Sequence, residues 1–162
     1  MPRLPADLAG LIERYASGPS LVRKAVAGAG PGAMSRAGRE GWSVRDVLVH
    51  LADAELVRAA RIRFILAGDE PPVLPPFDEG QWKRRLHYLW RSPEAALALF
   101  DALVFGNLEL LRQLDAAGFA RAGAIDGELV TVEELVRRGA AHAEEHAAQV
   151  RELRAAAGER PG

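Results

Sequence analysis

The sequence predicts an all-α fold, a four-helix bundle, on three observations. Apolar residues recur every three to four positions in several long segments, as they do on the buried face of an amphipathic helix. Serine or threonine residues that suit the N-cap position precede three of these segments. No segment of useful length alternates apolar and polar residues as a half-buried strand does, so no sheet is expected.

The first helical segment is expected to run from about Ala6 to Ala16. Gly18 and Pro19 then interrupt the pattern, and a short second piece covers Leu21 to Ala27. The stretch over residues 28–41 holds five glycines and one proline, which is typical of a loop.

The second long helix has a clear start. Ser43 is a good N-cap, and Asp46 lies three residues later, a capping-box arrangement with aspartate in place of glutamate. Gly68 is a natural stop for this helix. The 3.6-residue rhythm between these points is carried by Val44, Val47, Leu48, Leu51, Ala54 and Val57.

A long crossover follows, because residues 69–80 contain four prolines. A short helix is expected over residues 81–90. The third long helix runs from its N-cap Ser92 to Gly118, and the fourth runs from its N-cap Thr131 to about Ala157. Four long helices around one core form a four-helix bundle, and the proline-rich connection allows a crossover topology.

Composition limits the classes of function. The chain has 162 residues, 49% of them apolar, and a net charge of −1 with histidine counted as neutral. One domain over residues 1–162 is expected, without the basic surface that nucleic acid binding requires. No apolar run approaches the roughly 20 residues of a membrane helix, and no signal peptide is evident, so we expect a cytoplasmic protein. Cysteine is absent, which excludes disulfides, thiolate metal sites and a cysteine nucleophile.

Two of the four histidines, His142 and His146, lie one helical turn apart in a His-Ala-Glu-Glu-His segment. Positions i and i+4 of a helix point the same way, so the two imidazoles can bind one metal ion. Projection of the fourth helix places both histidines on its inward side, together with Gln149. The same side carries Leu135, Gly139, Val150 and Leu153.

A third histidine, His50, lies on the inward side of the second long helix. Alone, it could be a core histidine that donates to a backbone carbonyl. Three inward histidines on two facing helices favour a metal site formed by His50, His142 and His146. Such ligands suit a divalent ion such as Zn²⁺ or Ni²⁺, and the coordination positions left open for water or a thiol are typical of a catalytic site. The fourth histidine, His87, is expected to be a surface or packing residue.

Other charged residues are weaker candidates. Asp46 and Asp53 flank the histidine of the second long helix by about one turn each, and Glu145 precedes the last histidine. They could orient the imidazoles, although such carboxylates are more often simply solvated. Arg58 and Arg61 project toward the inward side of the second long helix, where they could meet an anionic substrate or extend to the edge of the bundle.

Three segments resemble the DinB-like superfamily. Residues 42–55 look like the start of its first helix motif, residues 75–82 resemble its crossover, and residues 142–150 resemble its closing motif. The most similar branch contains bacillithiol transferases and proposed metal-dependent hydrolases. The resemblance covers roughly residues 5–157.

The resemblance implies an up-down-down-up four-helix bundle with a divalent metal held by His50, His142 and His146. It also implies an enzyme that uses a low-molecular-weight thiol, such as bacillithiol or mycothiol, or that acts as a metal-dependent hydrolase. Many members are homodimers, so a homodimer is expected here too.

Four functions remain open at this point. The preferred function is transfer of a small thiol, because a metal stabilises the thiolate. Hydrolysis at the same metal site is the second catalytic possibility. A non-catalytic metal- or ligand-binding bundle and a purely structural helical dimer are the alternatives from other classes. The expected partner is a small-molecule substrate, with no nucleic acid and no membrane.

Overall fold

A computed structural model of the chain describes residues 4–159. None of the helices in that range is both long enough and apolar enough to cross a membrane. The helices are α1 (Ala6–Ala16), α2 (Gly18–Val26), α3 (Pro31–Ser35), α4 (Val44–Ala67), α5 (Glu79–Arg85), α6 (Pro93–Leu111), α7 (Ala116–Ala120) and α8 (Val132–Ala156). The strands are β1 (Val73–Leu74), β2 (Ala122–Ile125) and β3 (Glu128–Thr131).

Four long helices pack as a bundle: α1 with α2, then α4, α6 and α8. We call α1 and α2 together the first bundle helix, because only Ser17 separates them. Tyr15 and Gly18 of this helix lie beside Gly139 and Ala143 of α8, so the first and last bundle helices run in the same direction.

The two middle helices run the opposite way. The first bundle helix contacts α6 in reverse order, because Tyr15 bonds Asn107 whereas the later Arg23 bonds the earlier Asp101. α4 is also antiparallel to α8, since residue 50 lies beside residue 142 whereas residue 58 lies beside residue 139. The bundle is therefore up-down-down-up, as the family resemblance implies.

The predicted helix starts are confirmed by their cap geometry. Ser43 Oγ accepts a hydrogen bond from the Asp46 amide at 3.2 Å, and Asp46 Oδ2 accepts one from the Ser43 amide at 3.0 Å. These two bonds complete the capping box of α4. Thr131 caps α8 in the same way, by accepting from the Glu134 amide at 3.1 Å.

The four-helix bundle is as predicted, but the chain also forms a small three-stranded sheet that was not expected. β1 pairs parallel with β2, and β2 pairs antiparallel with β3. Asp126 and Gly127 join β2 to β3 with φ values of 52° and 84°, the left-handed conformation that two-residue hairpin turns require. Strands of two to four residues are too short to show an alternating pattern, so only this Asp-Gly turn could have predicted the hairpin.

Four other boundaries also differ from the prediction. The second helical piece begins at Gly18 instead of Leu21, so Gly18 and Pro19 belong to a helix and do not interrupt one. The third long helix ends at Leu111 instead of Gly118, and Asp115 then caps the separate short helix α7. The helix expected over residues 81–90 is α5 followed by a 3-10 turn at Tyr88–Trp90, with His87 between them at a positive φ of 50°. The expected loop over residues 28–41 contains the five-residue helix α3.

A buried polar network connects three of the bundle helices. Glu55 of α4 is 1% exposed. Its Oε1 accepts hydrogen bonds from the Tyr15 hydroxyl and from Asn107 Nδ2, and its Oε2 accepts one from Arg58. Burial and the negative charge of Glu55 raise the pKa of Tyr15 well above its usual value, so the hydroxyl remains a donor. Because a buried carboxylate is costly without such partners, the network fixes α1 and α6 against α4.

We expect Tyr15→Phe to lower the free energy of unfolding by about 1–3 kcal/mol, because the substitution removes one donor from the buried Glu55 carboxylate. Urea denaturation followed by circular dichroism measures this change. Glu13→Gln, on an exposed position of the same helix, is the control and should change stability by less than about 0.5 kcal/mol. A Tyr15→Phe protein as stable as the wild type would contradict a structural role for the network.

Candidate metal centre

The structure brings together the three histidines that the sequence analysis selected. His50 Nε2 and His146 Nε2 each lie 2.9 Å from His142 Nε2. One ring nitrogen of each histidine lies within 4.8 Å of one ring nitrogen of each of the other two. The rings stand at 74° to 87° to each other, edge to face. The three Nε2 atoms therefore converge on one point between α4 and α8.

The local sequence explains this convergence. His50 lies two turns inside α4, is 1% exposed, and faces α8. His142 and His146 lie on one face of α8 because they are four residues apart. Both are half-buried, since this face also borders a cavity. Antiparallel packing of α4 on α8 then places the single histidine opposite the pair.

Hydrogen bonds among the three rings cannot satisfy all three Nε2 atoms. His146 Nδ1 lies 2.7 Å from Gln149 Oε1, and a neutral ring that donates there carries a lone pair at Nε2. An imidazole nitrogen carries either one proton or one lone pair. His142 Nε2 can therefore form a well-aligned hydrogen bond with only one of its two neighbours at 2.9 Å, and the other contact stays unsatisfied. A cation accepts all three lone pairs. Nitrogens 2.9 Å apart can both reach the roughly 2.0–2.1 Å distance of a zinc–imidazole bond.

The protonation states also suit a metal. Burial lowers the pKa of His50 to about 3, with further lowering by the positive charges of His146 and Arg58. Burial is also the main cause that lowers the pKa of His142 and of His146. The three rings are therefore neutral near pH 7, which is the form that binds a metal ion.

The proline-rich crossover supplies a carboxylate that the sequence analysis missed. Glu79 lies in the first turn of α5, and its Oε2 is 3.6 Å from His50 Nε2. Its side chain is 63% exposed, so solvent reaches it. Phe77, two residues earlier, stacks on the His50 ring at a centroid distance of 5.9 Å. Glu79 lies inside the segment that resembles the family crossover, and that was the one signal in the sequence that pointed to it.

The carboxylates proposed from sequence to orient the imidazoles have other contacts. Asp46 belongs to the capping box of α4, and Asp53 Oδ2 accepts a hydrogen bond from Arg91 at 2.6 Å. Glu145 is exposed, and within residues 4–159 no hydrogen bond joins it to a histidine. Gln149 holds the ring of the last histidine instead. A neutral amide therefore takes the place that the sequence analysis gave to an acid.

A cavity of about 170 Å³ opens beside the histidines. It lies between α4, α8 and the crossover, and its wall includes His50, His142, Phe77 and Glu79. The cavity gives a small molecule access to the point where the imidazoles converge. Three arginines line the same cavity farther from the histidines.

Comparison with known proteins identifies similar sequences. The family model described as the DinB superfamily matches residues 14–150. "Putative metal-dependent hydrolase YfiT" of Bacillus subtilis is 31% identical over 115 residues, which are 70% of this chain and 64% of that relative, less than two thirds of its length. "Putative metal-dependent hydrolase" of Geobacillus thermodenitrificans is 30% identical over 139 residues, covering 84% of this chain and 78% of that relative.

Comparison of structures gives the same relationship. The solved structure of Bacillus subtilis YfiT, described as a probable metal-dependent hydrolase with an unusual four-helix bundle topology, matches with a TM-score of 0.88. The match has 25% sequence identity and covers 99% of this chain and 93% of that one.

We expect the protein, purified without a nickel column, to bind about one divalent ion per chain, because three imidazoles meet at one point. His146→Ala should lose this ion, and His87→Ala should retain it, because His87 lies outside the cluster. Inductively coupled plasma mass spectrometry measures the stoichiometry. Equal metal content in the two variants would show that the cluster is not the metal site.

We expect Gln149→Ala to weaken metal binding by roughly 10- to 100-fold, because the amide no longer fixes the ring of His146. Competition with a chromogenic chelator measures the affinity. Glu152→Ala is the control, since it changes a side chain one turn later on α8 that has no hydrogen bond to a histidine within the described part of the chain. An unchanged metal affinity in Gln149→Ala would show that Gln149 does not orient the ring of His146.

Proposed function

Because this chain belongs to the DinB superfamily and its three histidines converge on one point, we propose that it is a metal-dependent enzyme that hydrolyses a small-molecule substrate. The convergence of three Nε2 atoms beside an open cavity is the observation that carries this proposal. The names of the relatives from Bacillus and Geobacillus support the same class of reaction.

His50, His142 and His146 would hold the metal. Neutral imidazoles without thiolates suit Zn²⁺ and Ni²⁺, and we propose one of these two ions. When bound, the ion supplies Lewis acidity, which lowers the pKa of water to near 7 and deprotonates a thiol outright. The apolar rings of Trp42 and Phe77 pack against His50 and limit the access of bulk water to the imidazoles.

Glu79 is the proton acceptor that hydrolysis requires. Its carboxylate lies 3.6 Å from the Nε2 atom of His50, close to where a nucleophile would lie. Glu79 accepts a proton from the attacking water as the new carbon–oxygen bond forms. It returns that proton to the leaving group as the scissile bond breaks, so the site begins the next cycle unchanged.

The presence of this carboxylate favours water over a thiol as the nucleophile. A thiol has an ordinary pKa of about 8.5, so its deprotonation at such a site needs little help from a general base. Water has a pKa of about 15.7, so a general base assists its deprotonation much more. Transfer of a low-molecular-weight thiol is the second candidate. The absence of cysteine from the chain supports it, because no protein thiolate competes with an external thiol.

An assay with and without thiol separates the two reactions. Protein loaded with zinc or nickel is supplied with a chromogenic ester, and then with a halogenated aromatic electrophile together with glutathione or bacillithiol. Hydrolysis predicts metal-dependent ester turnover that needs no thiol. Turnover only with added thiol would establish thiol transfer, and no turnover of either substrate by metal-loaded protein would leave a non-catalytic metal-binding bundle.

We expect Glu79→Gln to lower the rate of hydrolysis by about 100-fold or more while the metal content stays unchanged, because glutamine cannot accept the proton. Initial rates and metal analysis on the same sample give both values. Glu70→Gln, an exposed acid in the crossover outside the cavity, is the control. Loss of the metal in Glu79→Gln would instead make Glu79 a ligand, and an unchanged rate would exclude it as the base.

A further inference from the structure

The cavity beside the histidines extends along facing stripes of α4 and α8. Arg58 and Arg61 follow His50 on the cavity side of α4, and Arg138 precedes His142 on α8. At a rise of about 1.5 Å per residue, Arg138 lies about 6 Å along the helix axis from His142, and Arg58 lies about 12 Å from His50. Because the two helices are antiparallel, the three arginines lie at the same end of the cavity.

Arg58 is held in place by buried groups. Its side chain is 12% exposed, and its guanidinium donates to the Glu55 carboxylate of the buried network. Its stem passes over Gly139, where an added Cβ would lie 3.0 Å from Arg58 Cδ and 2.9 Å from the ring of Tyr15. Glycine at this position gives the arginine its path to the cavity, so the conformation of Arg58 is fixed before any ligand binds.

Arg61 differs from its two neighbours because no anion balances it closely. Arg58 is paired with Glu55, and Arg138 Nε lies 2.8 Å from Glu134 Oε1. Within residues 4–159, no carboxylate lies within 4.0 Å of the Arg61 guanidinium. Its Nη2 donates to the Pro75 carbonyl at 2.5 Å, whereas its Nε is buried without a hydrogen-bond partner.

The electrostatics agree with this geometry. Burial lowers the pKa of Arg61, and the positive charge of Arg58 lowers it further. The negative charge of Asp126 raises the pKa of Arg61, whereas the positive charge of Arg138 lowers it. Because Arg58 and Arg138 are each paired with a carboxylate, the charge of Arg61 is the one that favours binding of an anion in this partly enclosed site. Glu79 lines the same cavity at the histidine end, where its carboxylate lies beside His50.

We propose that Arg61, with Arg58 and Arg138 beside it, binds a carboxylate of the substrate while the reacting bond lies at the histidines; this inference rests on the proposed function. The planar guanidinium matches the two oxygens of a carboxylate. One unbalanced positive charge fits a monoanion better than a phosphate dianion. The substrate is thus a small molecule with a carboxylate at one end and the hydrolysable bond at the other.

A pair of matched ligands tests this assignment by binding alone. The probes are 4-mercaptobutyrate and 4-mercaptobutyramide, whose thiols both bind a metal and whose other ends differ only in charge. Isothermal titration calorimetry on zinc-loaded protein measures both affinities. The wild type should bind the acid about 10-fold or more tightly than the amide, because only the acid can pair with Arg61.

Arg61→Met should reduce that preference to less than about 3-fold, with zinc content unchanged. Arg138→Met is the second variant and should reduce the preference in the same direction. Arg137→Met is the matched control, because this exposed arginine lies on α8 outside the cavity, and it should keep the full preference.

The results separate failure of this inference from failure of the proposed function. Equal binding of acid and amide by zinc-loaded wild type, or an unchanged preference in Arg61→Met, would overturn the carboxylate site while the metal site stands. Stronger competition by inorganic phosphate than by acetate against the acid probe would overturn the assignment to a carboxylate. Protein that takes up neither zinc nor nickel would reject the proposed function itself.

Discussion

Three neutral imidazoles whose Nε2 atoms meet inside the bundle are the constraint on which the rest of the site depends. Each nitrogen that is buried without a partner costs about 1–3 kcal/mol, and hydrogen bonds among the rings cannot satisfy all three. A divalent cation satisfies them together. The antiparallel packing of α4 on α8 creates this demand, because it sets His50 opposite a pair of histidines on successive turns.

The surrounding fold places opposite charges at the two ends of the cavity. The crossover places the carboxylate of Glu79 at the histidine end of the cavity, and α4 and α8 place three guanidiniums at the other end. The buried carboxylate of Glu55 connects the cavity to the core of the bundle, because it fixes Arg58 and also joins α1 and α6 to α4. A cavity with an acid at one end and arginines at the other favours one orientation of any elongated, charged ligand.

Features set by neighbouring residues in the chain could be predicted from the sequence, whereas features set by tertiary contacts could not. The caps at Ser43 and Thr131 and the i, i+4 histidine pair are local, and the structure contains all of them. The three-stranded sheet was missed because its short strands depend on their partners. Glu79 was missed because only the folded crossover brings it to His50. Gln149 was placed on the inward face, but its bond to His146 required a side-chain conformation that periodicity does not give.

X-ray absorption spectroscopy at the zinc edge of metal-loaded protein shows whether the three histidines hold one ion. We expect three imidazole nitrogens at about 2.0–2.1 Å from the zinc, with the remaining coordination completed by oxygen and none by sulfur. The multiple-scattering signal of imidazole rings makes the number of histidine ligands measurable. A spectrum with one imidazole or none would contradict the convergence of His50, His142 and His146 on one metal ion and would leave only the helical scaffold.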